Sequence, residues 1–348
     1  MTQCKAYAAT EAHAALVPLN IVRRAPRSDD VAIRIAYCGV CHTDLHLANN
    51  DWGSTAYPLV PGHEIVGYVT AVGPDVSGFK VGDRVAVGAL ADSCQHCAAC
   101  TDHDEPYCAE GPTATYNGID RVTGERTMGG YATDIVVRAC FVVTVPEALD
   151  LSRAGPLLCA GITVWTPLRQ KGVDKGSKVG VVGLGGIGHM AVKLAVALGA
   201  EVTVITSSPG KVDDARALGA HDVLLSSDKA AMAAKFNSFD LIIDTIPSRH
   251  DVNGYLMLLG RGGVLAPVGA LDLLEPVHGA LLARNHRSIT GSLMGGIAET
   301  QALLDFCAEH QVLPECEMIA MADINRAFAR MEANDVKYRF VIDMATLA

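Results

Sequence analysis

Short apolar runs separated by turns fill about the first 150 residues of the chain. The segments VAIRIAYCGV, EIVGYVTAVG, DRVAVGAL and YATDIVV resemble strands, and turns such as GPDVSG and KVGD separate them. This half is predicted to form an irregular β barrel or sandwich. HTDLHLAN at 42–49 instead predicts a short helix, because Leu45 and Ala48 lie three residues apart.

The pattern changes near residue 150, where strands and helices begin to alternate. Apolar strands are predicted at 178–184, 201–207, 239–245 and 262–269, with helices at 188–199, 211–219 and near 228–236. Strands that are apolar on both faces and alternate with helices form a parallel sheet covered on both sides. After about residue 292 the chain offers two more helices and a final strand, YRFVIDM. The predicted fold class is α/β, with a doubly wound parallel sheet and a second, mostly β domain.

Composition and charge exclude several classes of protein. Half of the 348 residues are apolar and 19% are charged, which argues against a disordered chain. The net charge of −10 argues against a nucleic-acid partner, whose surface requires clustered Lys and Arg. No stretch reaches about 18 uninterrupted apolar residues, so no membrane span is predicted. The N-terminal residues do not resemble a signal peptide, and we therefore expect a cytoplasmic enzyme.

This location affects the interpretation of the eleven cysteines. In a reducing compartment, clustered cysteines indicate metal binding or catalysis rather than disulfides. Cys94, Cys97, Cys100 and Cys108 lie within one polar, loop-like stretch. Four thiolates at this spacing can surround Zn²⁺ and leave no open position, which is typical of a structural site. An iron–sulfur cluster is the alternative, although Ala109 follows Cys108 where ferredoxin-type sequences usually have Pro.

A glycine-rich turn follows the predicted strand KVGVV and precedes a helix. Strand, turn and helix in this order predict a dinucleotide-binding site, whose turn comprises Gly183, Leu184, Gly185, Gly186, Ile187 and Gly188. Gly183 permits the tight turn, Gly185 lets the backbone approach a pyrophosphate, and Gly188 lets helix and strand pack closely. The alternative is a purely structural glycine turn.

The end of the next strand indicates which dinucleotide binds. An NAD site usually carries an Asp or Glu here, but this chain has Thr206, Ser207 and Ser208, followed by Lys211. Hydroxyls and a cation suit a 2′-phosphate, which a carboxylate would repel. We therefore predict NADP(H), the alternative being an ordinary Ser-Ser-Pro-Gly turn with a solvated lysine.

A second set of candidate metal ligands is scattered along the chain. Cys41, His63 and Glu64 lie in CGVCHTD and PGHEIVG, and Cys159 lies in LLCAGIT, where the two halves of the sequence meet. Two cysteines and a histidine around zinc, with the fourth position vacant, form a catalytic arrangement. Beside a nicotinamide site, these residues together predict hydride transfer at a polarised carbonyl.

The segments GHEIVGYVTAVG, CGVCHTDLH and VVGLGGIGHMAVKLA and the four-cysteine stretch resemble the zinc-dependent medium-chain alcohol dehydrogenases. The resemblance is to the cinnamyl alcohol dehydrogenase branch and its bacterial NADPH-dependent aldehyde reductase relatives, and it extends through nearly the whole chain. It implies a GroES-like catalytic, zinc-binding domain at 1–152 and 292–348 and a Rossmann dinucleotide-binding domain at 153–291. It also implies two zinc ions per chain and a homodimer.

The resemblance further implies roles for individual residues. Cys41, His63 and Cys159 would hold the catalytic zinc, with Glu64 as a nearby carboxylate that can displace water. The other implied roles are a proton relay through Thr43 and His46 and orientation of a zinc-ligand histidine by Asp44. Arg339 would neutralise Glu64 or reach the cofactor, and Thr163 would contact the nicotinamide. His46 has the alternative of being a surface helix residue. His103 departs from the glycine expected in many relatives, without removing a ligand.

The expected reaction is NADP(H)-dependent reduction of aldehydes or oxidation of alcohols, with broad specificity for aromatic and aliphatic substrates. Candidate walls of an apolar substrate pocket are Trp52, Leu59 and the SLMGG segment near Met294, although Trp52 is equally consistent with a lid or a packing residue. Two alternatives remain: an NAD-dependent polyol dehydrogenase with a hydrophilic pocket, and a non-enzymatic zinc-binding redox module.

Overall fold

The chain is divided into two structural units that interleave along the sequence. The computed structural model describes residues 1–269 and 273–347. One unit comprises Met1–Cys159 and Gly295–Ala348, and the other comprises Ala160–Met294. The boundaries expected from the sequence, at 152/153 and 291/292, lie a few residues before these points.

The N-terminal part of the first unit is mostly β. Its elements are β1 (Thr2–Ala8), β2 (Val17–Arg23), β3 (Asp30–Val40), α1 (His42–Asn49), β4 (Ile65–Val72), β5 (Arg84–Val87), β6 (Leu90–Asp92), α2 (Ala98–Thr101), β7 (Thr113–Ala114), β8 (Asp134–Arg138), β9 (Val143–Thr144) and α3 (Leu151–Ala154).

Helices and strands alternate in the second unit. They are α4 (Ala160–Gln170), β10 (Lys178–Val182), α5 (Gly188–Ala197), β11 (Glu201–Thr206), α6 (Val212–Ala217), β12 (Asp222–Leu225), α7 (Lys229–Ala234), β13 (Phe239–Asp244), α8 (Asn253–Leu258), β14 (Leu259–Pro267), α9 (Gly279–Ala283) and β15 (Ser288–Ile289).

The chain then returns to the first unit through two helices and two strands. These are α10 (Ile297–Glu309), β16 (Cys316–Ala320), α11 (Ile324–Glu332) and β17 (Arg339–Asp343). The sequence predicts both helices and β17, but not β16. Polar and partly exposed residues such as Glu317 give β16 little of the apolar pattern that identifies a strand.

The main sheet of the first unit joins strands from both ends of the sequence. In the described part of the chain it has seven strands, in the order β16-β17-β3-β4-β5-β9, with β8 paired to β3. β3 runs antiparallel to β4, β8 and β17. Alternate residues of β3, among them Val31, Ile33 and Ile35, point into a core that also contains Phe340 and Ile342 of β17. This sheet brings the end of β3, the start of β4 and the start of β17 close together.

The second unit contains a parallel sheet. Within the described residues it has six strands, in the order β12-β11-β10-β13-β14-β15, and all neighbours are parallel. The order extends outwards in both directions from β10, as in doubly wound folds, whose ligands bind at the carboxyl ends of the strands. The core on one face includes Val182, Ile205 and Ile242.

No helix among the residues that the structure describes is both long and apolar enough to cross a membrane.

Candidate active site

The first turn of α1 connects Cys41 to Asp44. Cys41 directly follows β3 and is the N-cap residue of α1, with an extended backbone. Its amide donates a hydrogen bond to Oδ2 of Asp44 at 3.0 Å, and its carbonyl accepts one from the Asp44 amide, also at 3.0 Å. A carboxylate is favourable in the first turn because the free N–H groups there carry partial positive charge. Local helix capping therefore fixes the position of Cys41.

His63 reaches the same carboxylate from another part of the unit. It lies in the loop before β4, next to Gly62, whose φ of 104° favours glycine. Nδ1 of His63 donates to Oδ1 of Asp44 across 3.2 Å. The nitrogen left free to bind a metal is therefore Nε2.

Four candidate ligands come together in the first unit. Side-chain atoms of Cys41, His63, Glu64 and Cys159 all lie within 4.8 Å of one another. Cys159 follows the 3-10 turn Gly155–Leu158. The sulfurs of Cys41 and Cys159 are 3.7 Å apart, and two sulfurs bound tetrahedrally to one Zn²⁺ would be about 3.8 Å apart, given Zn–S bonds of about 2.3 Å. The geometry of these residues therefore fits a single zinc ion.

The sulfur pair has strongly unequal proton affinities. The hydrogen bond with Cys159 lowers the pKa of Cys41 well below its ordinary value, against the effect of burial and with help from His63. The pKa of Cys159 is raised well above its ordinary value by the same hydrogen bond and by burial. Metal binding requires both thiolates, so it would release the proton that the pair retains.

Glu64 is buried beside the cluster and contacts Arg339. The guanidinium of Arg339 binds Oε1 of Glu64, whereas Oε2 has no hydrogen-bond partner among the described residues. Burial raises the pKa of Glu64 to about 7, even though Arg339 favours the charged form. A Cβ on Gly39 would lie 1.9 Å from Oε2, so this carboxylate requires glycine at position 39. An unpaired buried oxygen within reach of the other ligands suits an exchangeable metal ligand.

The four-cysteine stretch forms a second cluster in the same unit. The sulfurs of Cys94, Cys97, Cys100 and Cys108 lie within 4.8 Å of one another, and those of Cys94 and Cys100 are 3.8 Å apart. These separations suit four thiolates around one ion. His103, which stands where many relatives are expected to have glycine, is not in this cluster.

Backbone amides donate to three of these four sulfurs. The Cys97 amide donates to Sγ of Cys94, the Cys94 amide to Sγ of Cys108, and the Ala109 amide to Sγ of Cys97, each at 3.4 Å. The bond from Ala109 is the main reason that the pKa of Cys97 falls to about 6. The loop thus favours the thiolate of Cys97, the form that binds metal, whereas burial raises the pKa of Cys100 to about 12.

The lobe formed by residues 94–108 also contacts the start of α10. The Ile297 amide donates to Oε2 of Glu105 at 3.0 Å, and Glu105 is buried. A Cβ on Gly296 would lie 1.9 Å from the carbonyl oxygen of His103. Gly296 belongs to the SLMGG segment, so the structure assigns its second glycine a packing role against the lobe.

Both residues of the predicted proton relay lie on α1. Thr43 and His46 are both partly exposed. Nδ1 of His46 lies 2.7 Å from Oδ2 of Asp51, and the His46 ring lies 5.3 Å from the ring of Trp52. Trp52 is 45% exposed and therefore lies at the surface of its unit rather than in the core. Leu59, by contrast, belongs to the buried core of this unit and cannot form a pocket wall.

The glycine turn in the second unit has the geometry that its spacing predicts. Gly183 has a φ of 86°, a Cβ on Gly188 would lie 2.3 Å from the Gly183 carbonyl, and a Cβ on Gly185 would meet nothing within 4 Å. The tight turn therefore requires glycine at position 183, and close packing requires it at position 188. Gly185 leaves open space for a ligand. Leu184 is buried, and Gly186 and Ile187 are partly exposed before α5 begins.

Lys211 reaches this turn from the 3-10 turn Pro209–Lys211, which follows β11. Its Nζ donates to the Leu184 carbonyl at 2.9 Å. Thr206 ends β11 and is buried, with its Oγ1 accepting from the Ser208 amide at 3.2 Å, while Ser207 and Ser208 are exposed. The structure thus brings the lysine and the serine segment to the same edge of the sheet as the glycine turn. Thr163 is buried in α4 of this unit.

Some residues of the first unit were not identified from the sequence. Tyr116 and Tyr131 donate their hydroxyl hydrogens to Asp44, and Asp51 and Glu105 make the contacts described above. No spacing rule identifies a loop tyrosine as a partner of a distant carboxylate. Asp51 could have been found from its place just after the helix that carries His46.

Comparisons with known proteins show the family to which the chain belongs. The family model for the alcohol dehydrogenase GroES-like domain matches residues 27–147, and the model for zinc-binding dehydrogenases matches residues 186–309. The chain is 48% identical to NADP-dependent alcohol dehydrogenase C 1 of Mycolicibacterium smegmatis, over 100% of this chain and 99% of that protein. It is 47% identical to aldehyde reductase YahK of Escherichia coli, over 99% of each.

A solved structure gives the same result. The cinnamyl alcohol dehydrogenase SbCAD4 of Sorghum bicolor is 45% identical, with a TM-score of 0.95, over 99% of this chain and 98% of that one. The predicted family, the fold class and the alcohol dehydrogenase activity class are therefore confirmed. The chain belongs to the zinc-dependent medium-chain alcohol dehydrogenases, within the branch that resembles cinnamyl alcohol dehydrogenase.

Proposed function

We propose that this enzyme is an NADP(H)-dependent aldehyde reductase and alcohol dehydrogenase with broad specificity for aromatic and aliphatic aldehydes. The observation that carries the proposal is the convergence of Cys41, His63, Glu64 and Cys159 within 4.8 Å. Cys41, His63 and Cys159 would hold a catalytic zinc, and Cys94, Cys97, Cys100 and Cys108 a structural one. Bound zinc supplies a Lewis acid for the carbonyl oxygen, and bound NADPH supplies the hydride.

Glu64 would act as an alternative ligand during exchange of water and substrate. Its Oε2 has no hydrogen-bond partner among the described residues, while Arg339 holds Oε1. Arg339 therefore retains the carboxylate on one side and leaves the other oxygen available. The pKa of about 7 that burial gives Glu64 also makes its charge easy to change near neutral pH.

A proton must reach the substrate oxygen when an aldehyde is reduced. Thr43 and His46 lie at i and i+3 on α1, a spacing that puts their side chains on one face. A threonine hydroxyl can only pass a proton along, whereas histidine gains and loses one near neutral pH. Asp51 accepts from His46 Nδ1 and so leaves Nε2 to exchange the proton. We assign the relay to Thr43 and His46, with Asp51 as a positioning residue.

The preference for NADP(H) is supported by the arrangement around the glycine turn. The Lys211 ammonium lies beside Leu184, Ser207 and Ser208 are exposed, and β11 has no carboxylate at its end. Cation and hydroxyls together suit a 2′-phosphate. The pyrophosphate would be bound by the turn Gly183, Leu184, Gly185, Gly186, Ile187 and Gly188, the 2′-phosphate by Thr206, Ser207, Ser208 and Lys211, and the nicotinamide would contact Thr163.

Broad specificity follows from apolar recognition. The Trp52 ring lies 5.3 Å from the ring of His46, and Trp52 is exposed. Each methylene in an apolar pocket changes the transition-state free energy by only about 1–3 kcal/mol, so such a pocket discriminates weakly among aldehydes of similar size.

Steady-state kinetics test this proposal. We expect benzaldehyde to be reduced with a much higher kcat/KM for NADPH than for NADH, and Cys41→Ala to abolish reduction while the protein remains folded. Efficient NAD-dependent oxidation of sorbitol would instead favour the polyol dehydrogenase, and full activity of Cys41→Ala would favour a non-enzymatic zinc module.

A further inference from the structure

Asp44 is a buried carboxylate that is completely surrounded by hydrogen-bond donors. Its side chain has no solvent exposure. Oδ1 accepts from the Gly62 amide at 3.0 Å, His63 Nδ1 at 3.2 Å and the Tyr116 hydroxyl at 2.7 Å, and Oδ2 accepts from the Cys41 amide and the Tyr131 hydroxyl, each at 3.0 Å.

These donors explain how a charge can be buried here. A carboxylate can accept about four or five hydrogen bonds, and burying one without them would be very unfavourable. The two phenols supply two of the donors, and both tyrosines are buried, Tyr131 at 0% and Tyr116 at 4% exposure. Because the carboxylate only accepts, His63 must carry its hydrogen on Nδ1, which leaves the lone pair on Nε2 for a metal.

Tyr116 also restrains the imidazole directly. Its ring stacks on that of His63, with centroids 5.7 Å apart and an interplanar angle of 29°. The hydroxyl and the ring of one tyrosine thus hold both the carboxylate and the histidine that the carboxylate orients.

Tyr131 is fixed from the other side. Its amide donates to the Pro61 carbonyl at 2.9 Å, and its own carbonyl accepts from the Tyr7 amide at 2.9 Å. A Cβ on Gly62 would lie 2.8 Å from the Tyr131 ring, so the segment before His63 packs tightly against this side chain. The phenol therefore has little freedom to leave Asp44.

We propose that Tyr116 and Tyr131 are positioning residues of the active site. They hold Asp44 so that His63 presents Nε2 to the metal, and they thereby raise the affinity of the site formed by Cys41, His63 and Cys159. This inference rests on the proposed function, because it assumes that this site binds zinc. It differs from the role expected of Asp44 alone, since it makes two distant loop tyrosines part of the metal site.

Zinc affinity in Tyr116→Phe and Tyr131→Phe tests the proposal. Each substitution removes one hydroxyl and keeps the ring. We expect the zinc dissociation constant of the catalytic site to rise by up to about tenfold in each variant. Each hydroxyl acts on His63 through Asp44, and loss of a direct partner of a metal ligand typically costs about 10–100-fold. Competition with a coloured chelator measures the dissociation constant, and the visible spectrum of the Co²⁺-substituted protein should also shift. Tyr68→Phe is the matched control, because Tyr68 is 43% exposed on β4.

Retention of the structural zinc shows that a variant is folded. If Tyr131→Phe does not fold, Tyr116→Phe decides the question alone. Dissociation constants and Co²⁺ spectra equal to those of Tyr68→Phe would overturn the proposal. A wild-type protein that binds only the structural zinc would instead contradict the proposed function, so the two failures are distinguishable.

Discussion

The amide of Ile297 donates a hydrogen bond to the buried carboxylate of Glu105 at 3.0 Å. This bond satisfies a free N–H at the start of α10 with a residue that lies between Cys100 and Cys108. The position also favours a negative charge, because helix N-termini carry partial positive charge. The four-cysteine lobe therefore caps the helix with which the chain re-enters the first unit.

Glu105→Ala should loosen the start of α10. We expect the free energy of unfolding to fall by about 1–2 kcal/mol, because a buried amide loses its acceptor. Amide hydrogen exchange at residues 297–300 should become faster. Asp102→Ala, which removes an exposed carboxylate from the same lobe, should change neither quantity. Unchanged exchange at 297–300 in Glu105→Ala would contradict this role.

Loss of the structural zinc site should also loosen the start of α10. Cys94→Ala should reduce the metal content to about one zinc per chain and lower the melting temperature, because binding at a structural site contributes folding free energy. Exchange at residues 297–300 should rise as in Glu105→Ala. Elemental analysis and calorimetry measure the first two effects. A variant that keeps two zinc ions and melts normally would show that Cys94 is not a ligand of a structural zinc.

Lys211→Ala should weaken NADPH binding selectively. A charge-assisted hydrogen bond contributes about 1.5–3 kcal/mol, so the KM for NADPH should rise by roughly tenfold to a hundredfold. The KM for NADH should barely change, since NADH has no 2′-phosphate. Lys229→Ala, at an exposed position of the same unit, serves as the control. Equal losses for both cofactors would assign Lys211 a structural role.

Asp120 should contribute to stability in a pH-dependent way. Burial raises the pKa of its carboxyl, but hydrogen bonds from Arg27 and from the amides of Val122 and Thr123 outweigh this and lower the pKa below its ordinary value. A lowered folded pKa stabilises the protein above the unfolded value of about 3.9, and this contribution disappears as the pH falls through the folded pKa.

The difference in urea midpoint between wild type and Asp120→Asn checks this expectation. It should be largest near neutral pH and shrink in acid. Measuring a difference cancels the effect of zinc release, which acidification causes in both proteins. Asp75→Asn, at an exposed position, should show no such trend. A difference that does not depend on pH would contradict the assignment.

Local signals explain what could be predicted from the sequence. The turn from Gly183 to Gly188 and the cluster from Cys94 to Cys108 are each contained in one short segment, so spacing alone indicates their chemistry. The parallel sheet was also predictable, because its strands are apolar on both faces. By contrast, α4 is buried on all sides from Ala160 to Leu168 and contains Pro167, so its sequence shows little of the pattern of a half-exposed helix.

Long-range packing explains what could not be predicted. Cys41, His63 and Cys159 are distant in sequence and come together through the sheet that β3 and β4 share. Residue type and the family resemblance could therefore suggest them as ligands, but their spacing could not show that they meet. Tyr116 and Tyr131 carry no signal at all, because a tyrosine between turn residues is chemically ordinary until the fold aims its hydroxyl at Asp44. Leu59 was wrongly expected in a pocket because its sequence context does not distinguish a pocket wall from the core.

Metal titration of the active enzyme shows whether catalysis depends on zinc bound by Cys41, His63 and Cys159. Zinc would be removed stepwise with a chelator, and NADPH-dependent reduction of benzaldehyde would be measured against the zinc content of each sample. We expect activity to fall in proportion to loss of the zinc held by Cys41, His63 and Cys159 and to return when zinc is added back. Full activity in protein that retains only the zinc of the four-cysteine lobe, or no zinc, would contradict it.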